Sequence, residues 1–146
     1  MIPWVLHIKK AGSLPLARYL ALMQAASVLI GIKLFLVILP FRTFRRIYGK
    51  LTNPAHKQQY TQAYISDRIW AVRTAAHWLP FSLLCLPQAL SLKFLLRKED
   101  QLPLHIGVQI QASAGFEAHA WVEKNGKIII GEWPENTTYK PIWVWQ

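Results

Sequence analysis

The chain has 146 residues, of which 53% are hydrophobic, and a formal net charge of +10. This length fits one domain with a substantial core, and so apolar a composition excludes an intrinsically disordered chain. The only cysteine, Cys85, excludes an intrachain disulfide and is typical of a protein kept in a reducing cytoplasm. We therefore expect a compact cytoplasmic domain.

The positive charge is concentrated in the first half of the chain. Nine of the 17 lysines and arginines precede Asp67, which is the first acidic residue. Such a segment attracts nucleic acid, anionic lipid headgroups or an acidic protein surface. The sequence has neither a basic recognition helix nor the aromatic strand motif of RNA-binding modules, so no nucleic-acid partner is expected. The five histidines have no metal-ligand spacing, so neither a metal nor a cofactor is expected.

The first predicted element is a long helical region from about Leu14 to Tyr48, interrupted near Pro40. Residues Tyr19 to Phe41 are about as long and as apolar as a membrane span. Gln24 and Lys33 favour instead a helix packed in the core or lying at a membrane interface, so membrane association is an expectation, with a true span as the alternative.

Two further helices are predicted before the cysteine. Asn53 followed by Pro54 is typical of a helix N-cap, which predicts a helix from there to about Tyr64. Ser66 is the predicted cap of the next helix, DRIWAVRTAAHWL, which should end at Pro80. We treat residues 1–52 as an apolar, basic helical region and residues 53–146 as the core of one compact unit.

Cys85 precedes a helix whose start is constrained by proline. In the segment SLLCLPQALSLKFLLRKED, Pro87 has no N–H and is tolerated only in the first turn. Cys85 must therefore lie at or just before the helix N-terminus. A helix N-terminus and a nearby imidazolium both favour a reactive thiolate.

After Pro103 the apolar residues alternate with polar ones, which predicts a strand with one buried face. Its apolar positions are Leu104, Ile106, Val108 and Ile110. A second and a third strand flank Asn125-Gly126, the strongest two-residue hairpin signal. The sequence therefore predicts an α+β fold with N-terminal helices followed by a small antiparallel sheet.

The hairpin turn sets a register for its two strands. If Lys124 pairs with Lys127, counting outward places Glu132 opposite His119, where Cβ atoms are about 4.5 to 5.5 Å apart. Glu132 is then the candidate that orients His119 as a general base. Glu117 and Glu123 share the face of His119 and are rival orienting residues, and His105 is a weaker cleft candidate. The alternative is purely structural: a strand histidine paired with Glu132, and Cys85 as a core residue.

Taken together, four blocks resemble the transglutaminase-like cysteine peptidases that remove leaders in lasso-peptide biosynthesis. They are RIWAVRTAAHWLP, CLPQALSL, LHIGVQI and FEAHAWVE. The resemblance covers about Ile65 to Glu135 and, more loosely, the apolar basic helices before it. The resemblance implies a papain-like or transglutaminase-like core, in which a cysteine-bearing helix packs on the sheet. It places the nucleophile on Cys85, the base on His119 and the third triad member on Glu132, where the family has an aspartate.

The implied reaction is leader removal through a thioester on Cys85. The resemblance implies a precursor-peptide substrate and an ATP-dependent macrolactam cyclase as a partner. Since the N-terminal helices do not resemble a strand-rich leader-recognition module, a separate leader-recognition protein is expected. Two alternatives stay open: a transglutaminase-type acyltransferase, and a non-enzymatic membrane-surface adaptor that uses the basic N-terminal helices.

Overall fold

A computed structural model describes residues 16–53, 55–80, 85–111, 115–132 and 139–145, without the side chains of 109–111 and 115–117. Within these ranges, four helices come first and four strands follow. The helices are α1 (Leu16–Ile38), α2 (Phe41–Leu51), α3 (Gln62–Trp78) and α4 (Cys85–Leu95). The strands are β1 (Leu104–Gln111), β2 (Gly115–Lys124), β3 (Lys127–Ile130) and β4 (Lys140–Trp145). The strands form one antiparallel sheet in the order β3-β2-β1-β4, which confirms the α+β prediction.

The predicted interruption at Pro40 is confirmed. α1 ends at Ile38, and Pro40 takes an extended conformation (φ −57°, ψ 142°) immediately before α2. Proline cannot donate the backbone hydrogen bond that would continue α1, so the chain turns there. The short helix that follows is strongly amphipathic: Phe44 and Tyr48 are buried, and the arginines and Lys50 project from other sides.

The helix predicted from Pro54 to Tyr64 is wrong, because residues 55–61 are not helical; Pro54 itself lies outside the described residues. The backbone groups of this segment bind elsewhere. The N–H of Gln58 donates to the Lys98 carbonyl, and the N–H of Tyr60 donates to the buried Glu99 carboxylate over 2.7 Å. A helix would have left this carboxylate without that donor.

The cap predicted at Ser66 is also wrong. Thr61 caps α3, since its hydroxyl accepts a hydrogen bond from the N–H of Tyr64 at 3.2 Å, and Ser66 lies inside the helix. The predicted end is confirmed: α3 stops at Trp78, two residues before Pro80.

The core is shared by all four helices and by one face of the sheet. α1 packs on α3 and α4 through Ala21, Ala25, Leu29 and Ile32, which recur at helical spacing. α4 packs on β2, where Ala120 and Val122 are fully buried. Residues from both regions distinguished in the sequence therefore lie in one core, and α4 is packed against the sheet.

The sheet contains one strand that the sequence analysis missed. β4 pairs with β1, and its sequence KPIWVW carries the β-branched and aromatic residues typical of a strand. The predicted hairpin turn is confirmed: Asn125 and Gly126 both have positive φ, 53° and 78°, as a tight two-residue turn requires.

Candidate active site

The described part of α4 begins at Cys85, where Pro87 predicts the helix start; residues 81–84 lie outside the described residues. Its side chain is half-buried and packs against the hydrophobic core. The first backbone N–H groups of a helix have no partner within the helix and carry a partial positive charge. An oxyanion on a carbonyl attached to the thiol would lie beside such groups.

His119 lies in the middle of β2, on the face opposite the buried Ala120 and Val122. It belongs to a row of rings that we call the aromatic row: His105, Trp121, His119 and Tyr139. His105 stacks on Trp121 with centroids 5.2 Å apart, and His119 stacks on Tyr139 at 4.9 Å. Gly107, paired with His119, makes room for the row, since a Cβ there would lie 2.6 Å from the Trp121 ring.

The Nε2 atom of His119 lies 2.5 Å from the carbonyl oxygen of Gly131. A carbonyl only accepts hydrogen bonds, so Nε2 must carry the proton, and Nδ1 of the neutral ring then holds the basic lone pair. Gly131 has φ +88°, and a Cβ there would lie 2.4 Å from the Ala120 carbonyl. Glycine is therefore needed for the chain to turn this carbonyl toward the imidazole.

The predicted register is correct only next to the turn. Lys124 pairs with Lys127 and Glu123 with Ile128, but Val122 pairs with Ile130. Ile129 is thus the extra residue of a β-bulge, which shifts the register by one. The prediction that Glu132 lies opposite His119 is wrong, because the shift brings it level with Ala120.

The carboxylate of Glu132 is bound by Arg73 of α3. A guanidinium nitrogen of Arg73 donates to both carboxylate oxygens, at 2.5 and 2.7 Å, and contacts the Ile129 carbonyl at 3.3 Å. Arg73 therefore ties α3 to both sides of Gly131. Both side chains are about half exposed, so solvent screens the pair.

Glu123, one of the two rival orienting residues, binds members of the aromatic row other than His119. It accepts a hydrogen bond from the Trp121 indole at 2.9 Å, and its other oxygen lies 3.5 Å from Nε2 of His105. The side chain of Glu117 lies outside the described part. His105, a weaker candidate from the sequence, is packed under Trp121 and is largely buried.

The fold brings the elements that carry Cys85 and His119 into contact but does not join the two side chains. α4 packs on the face of β2 that carries Ala120 and Val122, whereas His119 projects from the other face. Within the described ranges, no hydrogen bond links Cys85 to His119. Within the described residues, β3 pairs with β2 only from Val122 to Lys124, so the ladder stops short of His119, which is half-buried. Across those same ranges, no three metal-ligating side chains gather at one point.

Comparison with known proteins gives the class. The family model described as the transglutaminase-like superfamily matches residues 26–144, well over half of the chain. The chain therefore belongs to the transglutaminase-like superfamily. The match begins within α1 and so includes the N-terminal helices, which the sequence resemblance covered only loosely. Membership indicates a cysteine-based enzyme, either a peptidase or an acyltransferase. No curated protein and no solved structure matches the chain at a significant level.

Sequence reasoning missed two groups in the site: the Gly131 carbonyl and Arg73. A glycine directly after three isoleucines was a signal for a bulge or a close backbone approach at the end of β3. Nothing local marked Arg73, because its partners are 56 and 59 residues away in the chain.

Proposed function

We propose that this protein is a cysteine peptidase that removes the leader from a ribosomally made precursor peptide of the lasso class. The observation that supports the peptidase chemistry is the hydrogen bond from His119 to the Gly131 carbonyl, because it orients the imidazole on β2, the strand whose other face packs on the cysteine-bearing helix. Superfamily membership supports the use of Cys85 as the nucleophile. The resemblance of four sequence blocks supports the precursor as substrate.

In the proposed reaction, Nδ1 of His119 accepts the thiol proton and Sγ of Cys85 attacks the carbonyl carbon at the leader junction. The tetrahedral oxyanion is stabilised by backbone N–H groups at the start of α4. The imidazolium then gives its proton to the leaving amine of the core peptide, and the C–N bond breaks. Water, deprotonated by His119, attacks the thioester; the C–S bond breaks, and the leader leaves as a carboxylate.

Glu132, the third member of the predicted triad, is proposed to act on His119 indirectly, through the Gly131 carbonyl. Glu132 binds Arg73, and the backbone oxygen just before it accepts from His119. We assign Glu132 and Arg73 as positioning residues that hold the Gly131 carbonyl on the imidazole. The orienting acceptor is then a backbone oxygen, with the carboxylate as its anchor.

The proposed partners are a separate leader-recognition protein and an ATP-dependent macrolactam cyclase that uses the freed core amine. The test is leader cleavage followed by mass spectrometry, with the precursor and the recognition protein supplied. Cys85→Ala and His119→Ala should abolish cleavage, whereas His56→Ala, at an exposed position outside the site, should keep it. Cleavage retained by either of the first two variants would refute the peptidase.

Acyl transfer to an amine is the second candidate, because the superfamily includes it and the same thioester supports it. Adding a primary amine to the cleavage reaction separates the two. A peptidase gives a leader carboxylate at every amine concentration, with one oxygen from solvent. A leader amide that replaces the carboxylate as the amine is raised would assign the protein as an acyltransferase.

A further inference from the structure

α1 and α2 leave an apolar surface exposed at their junction. Seven large apolar side chains there are between 43% and 71% exposed. We call them the apolar patch: Leu34, Phe35, Val37, Ile38, Phe41, Ile47 and Leu51. Scattered apolar side chains are ordinary on a protein surface, whereas a contiguous group indicates an interaction site.

A cleft of about 190 Å³ between α1, α2 and α4 adjoins the apolar patch. Phe35, Ile47 and Leu51 belong to both the patch and the cleft wall, and Phe44 and Phe94 lie further in. The walls expose no polar atom. A peptide backbone entering this cleft would lose its hydrogen bonds to water, whereas an alkyl chain would lose none.

Cations border the apolar patch. Arg42, Arg46 and Lys50 are exposed on α2, and Lys33 is half-buried on α1. No acidic residue occurs in the sequence before Asp67, so nothing in this half of the chain neutralises them locally. The surface therefore joins apolar side chains to uncompensated positive charge.

α1 is long and apolar enough to cross a membrane by length and composition alone. One face of α1 packs in the protein core: Ala21, Ala25 and Leu29 are buried against α3 and α4. Arg18 also forms an ion pair with Asp67 of α3, at 3.3 Å. A span would require these contacts to open, so α1 in this fold can offer a membrane only its outer side.

We propose that the apolar patch and its bordering cations dock the protein on an anionic phospholipid bilayer, with an acyl chain entering the cleft. Charge complementarity selects an anionic surface, and the absence of polar groups in the cleft selects an alkyl chain over a peptide. Apolar side chains would enter the headgroup boundary while Arg42, Arg46 and Lys50 contact phosphates. This role is independent of the proposed peptidase reaction.

The test is flotation of the full-length protein with vesicles of phosphatidylcholine alone or with an equal part of phosphatidylglycerol. We expect binding to the anionic vesicles only, weakening as salt rises from about 0.1 M to about 1 M. The variant Arg46→Glu/Lys50→Glu should lower the partition coefficient at least about tenfold. Val37→Gln/Ile38→Gln, at positions 71% exposed, should lower it by a similar factor.

Matched controls separate the surface from general charge and hydrophobicity. Lys127→Glu in the hairpin turn and Ile142→Gln on β4 change the same residue types at exposed positions elsewhere, and both should bind like the wild type. Unchanged circular dichroism verifies that each variant is folded. Absence of binding by the wild type, or equal binding by all variants, would overturn the proposal. So would a dimer in sedimentation velocity that Val37→Gln/Ile38→Gln dissociates, since the occupant would then be a second copy.

Discussion

The two halves of this molecule treat charge in opposite ways. The helices α1 and α2 carry cations with no acidic residue in their own segment; Arg42, Arg46 and Lys50 face solvent, and Arg18 pairs with Asp67 of α3. From α3 onward, charged groups pair within the fold: Arg73 with Glu132, and Lys124 with the buried Glu99. Internal pairs position backbone and side chains for chemistry, whereas unpaired surface cations attract a partner. Under the two proposals above, the difference divides the molecule into a docking half (α1 and α2) and a reacting half (from α3 onward).

The largest expected effect is the loss of the nucleophile or the base. Cys85→Ser and His119→Ala should each lower kcat for leader cleavage at least about a thousandfold, because the two groups act as one unit. The double variant should be little worse than either single variant. Single-turnover kinetics measure this, and fully multiplicative losses would show that the residues act independently.

A variant of α2 tests whether the docking half contributes to cleavage. Arg46→Glu/Lys50→Glu should cleave a soluble precursor within about twofold of the wild type, because these side chains lie on α2, outside the site. Steady-state kcat/KM without vesicles is the measurement. A loss comparable to that of His119→Ala would merge the two halves into one functional surface.

Removing the anchor of the Gly131 carbonyl should have a smaller effect. Arg73→Ala and Glu132→Ala should lower kcat about ten- to a hundredfold with little change in KM, because His119 loses orientation but remains present. The pH dependence of kcat should also change, which a purely structural loss would not produce. Arg73→Lys should restore only part of the wild-type kcat, since lysine cannot reproduce the guanidinium contacts. Rates and pH profiles equal to those of the wild type would remove both residues from the mechanism.

Stability should depend on pH through Lys93, which is buried in α4 and donates to the Leu102 carbonyl at 2.8 Å. Burial, with a contribution from Lys57, lowers the pKa of Lys93 from 10.5 to about 8. Between these values the unfolded chain binds more protons than the folded one, so stability rises with pH from about 8 to about 10.5.

The rise from Lys93 amounts to about 3 kcal/mol at most. Denaturant titrations at several pH values, on the wild type and Lys93→Met, isolate it as the difference between the two curves. As pH rises, the free energy of unfolding of the wild type should increase relative to that of the variant. Parallel curves would contradict a lowered pKa.

The smallest effect is expected at Tyr48, whose hydroxyl joins α2 to α4 by donating to the Leu90 carbonyl at 2.7 Å. Burial raises the pKa of Tyr48 well above 10, so the group stays neutral. Tyr48→Phe should cost about 1 kcal/mol of unfolding free energy and leave cleavage unchanged. A loss of activity without a loss of stability would make α2 part of the reacting half.

Local signals predicted the elements that a single residue type determines. Pro40 and Pro87 fixed a helix break and a helix start, because a missing N–H acts wherever it occurs. The Asn125-Gly126 turn was predictable for a similar reason, since few residues adopt two positive φ angles. The start of α3 was not, because residues 55–61 take their hydrogen-bond partners from residues 98–99, far along the chain.

The candidate site was predictable to the level of residues but not of contacts. Cys85 and His119 could be chosen from the sequence, and their catalytic roles stay predictions. The bulge at Ile129 depends on how Val122 and Ile130 pack in the core, which no two-residue turn determines. One extra residue therefore moved Glu132 away from His119 and brought the Gly131 carbonyl in its place.

The central claim is that His119 activates Cys85, and alkylation of the only cysteine tests it most directly. The rate of iodoacetamide labelling at neutral pH, followed by intact mass, reports on Cys85 alone, because the sequence has no other cysteine. We predict that the wild type is alkylated at least about tenfold faster than His119→Ala, and that the exposed-site control His56→Ala matches the wild type. Equal rates in the wild type and His119→Ala would contradict the account.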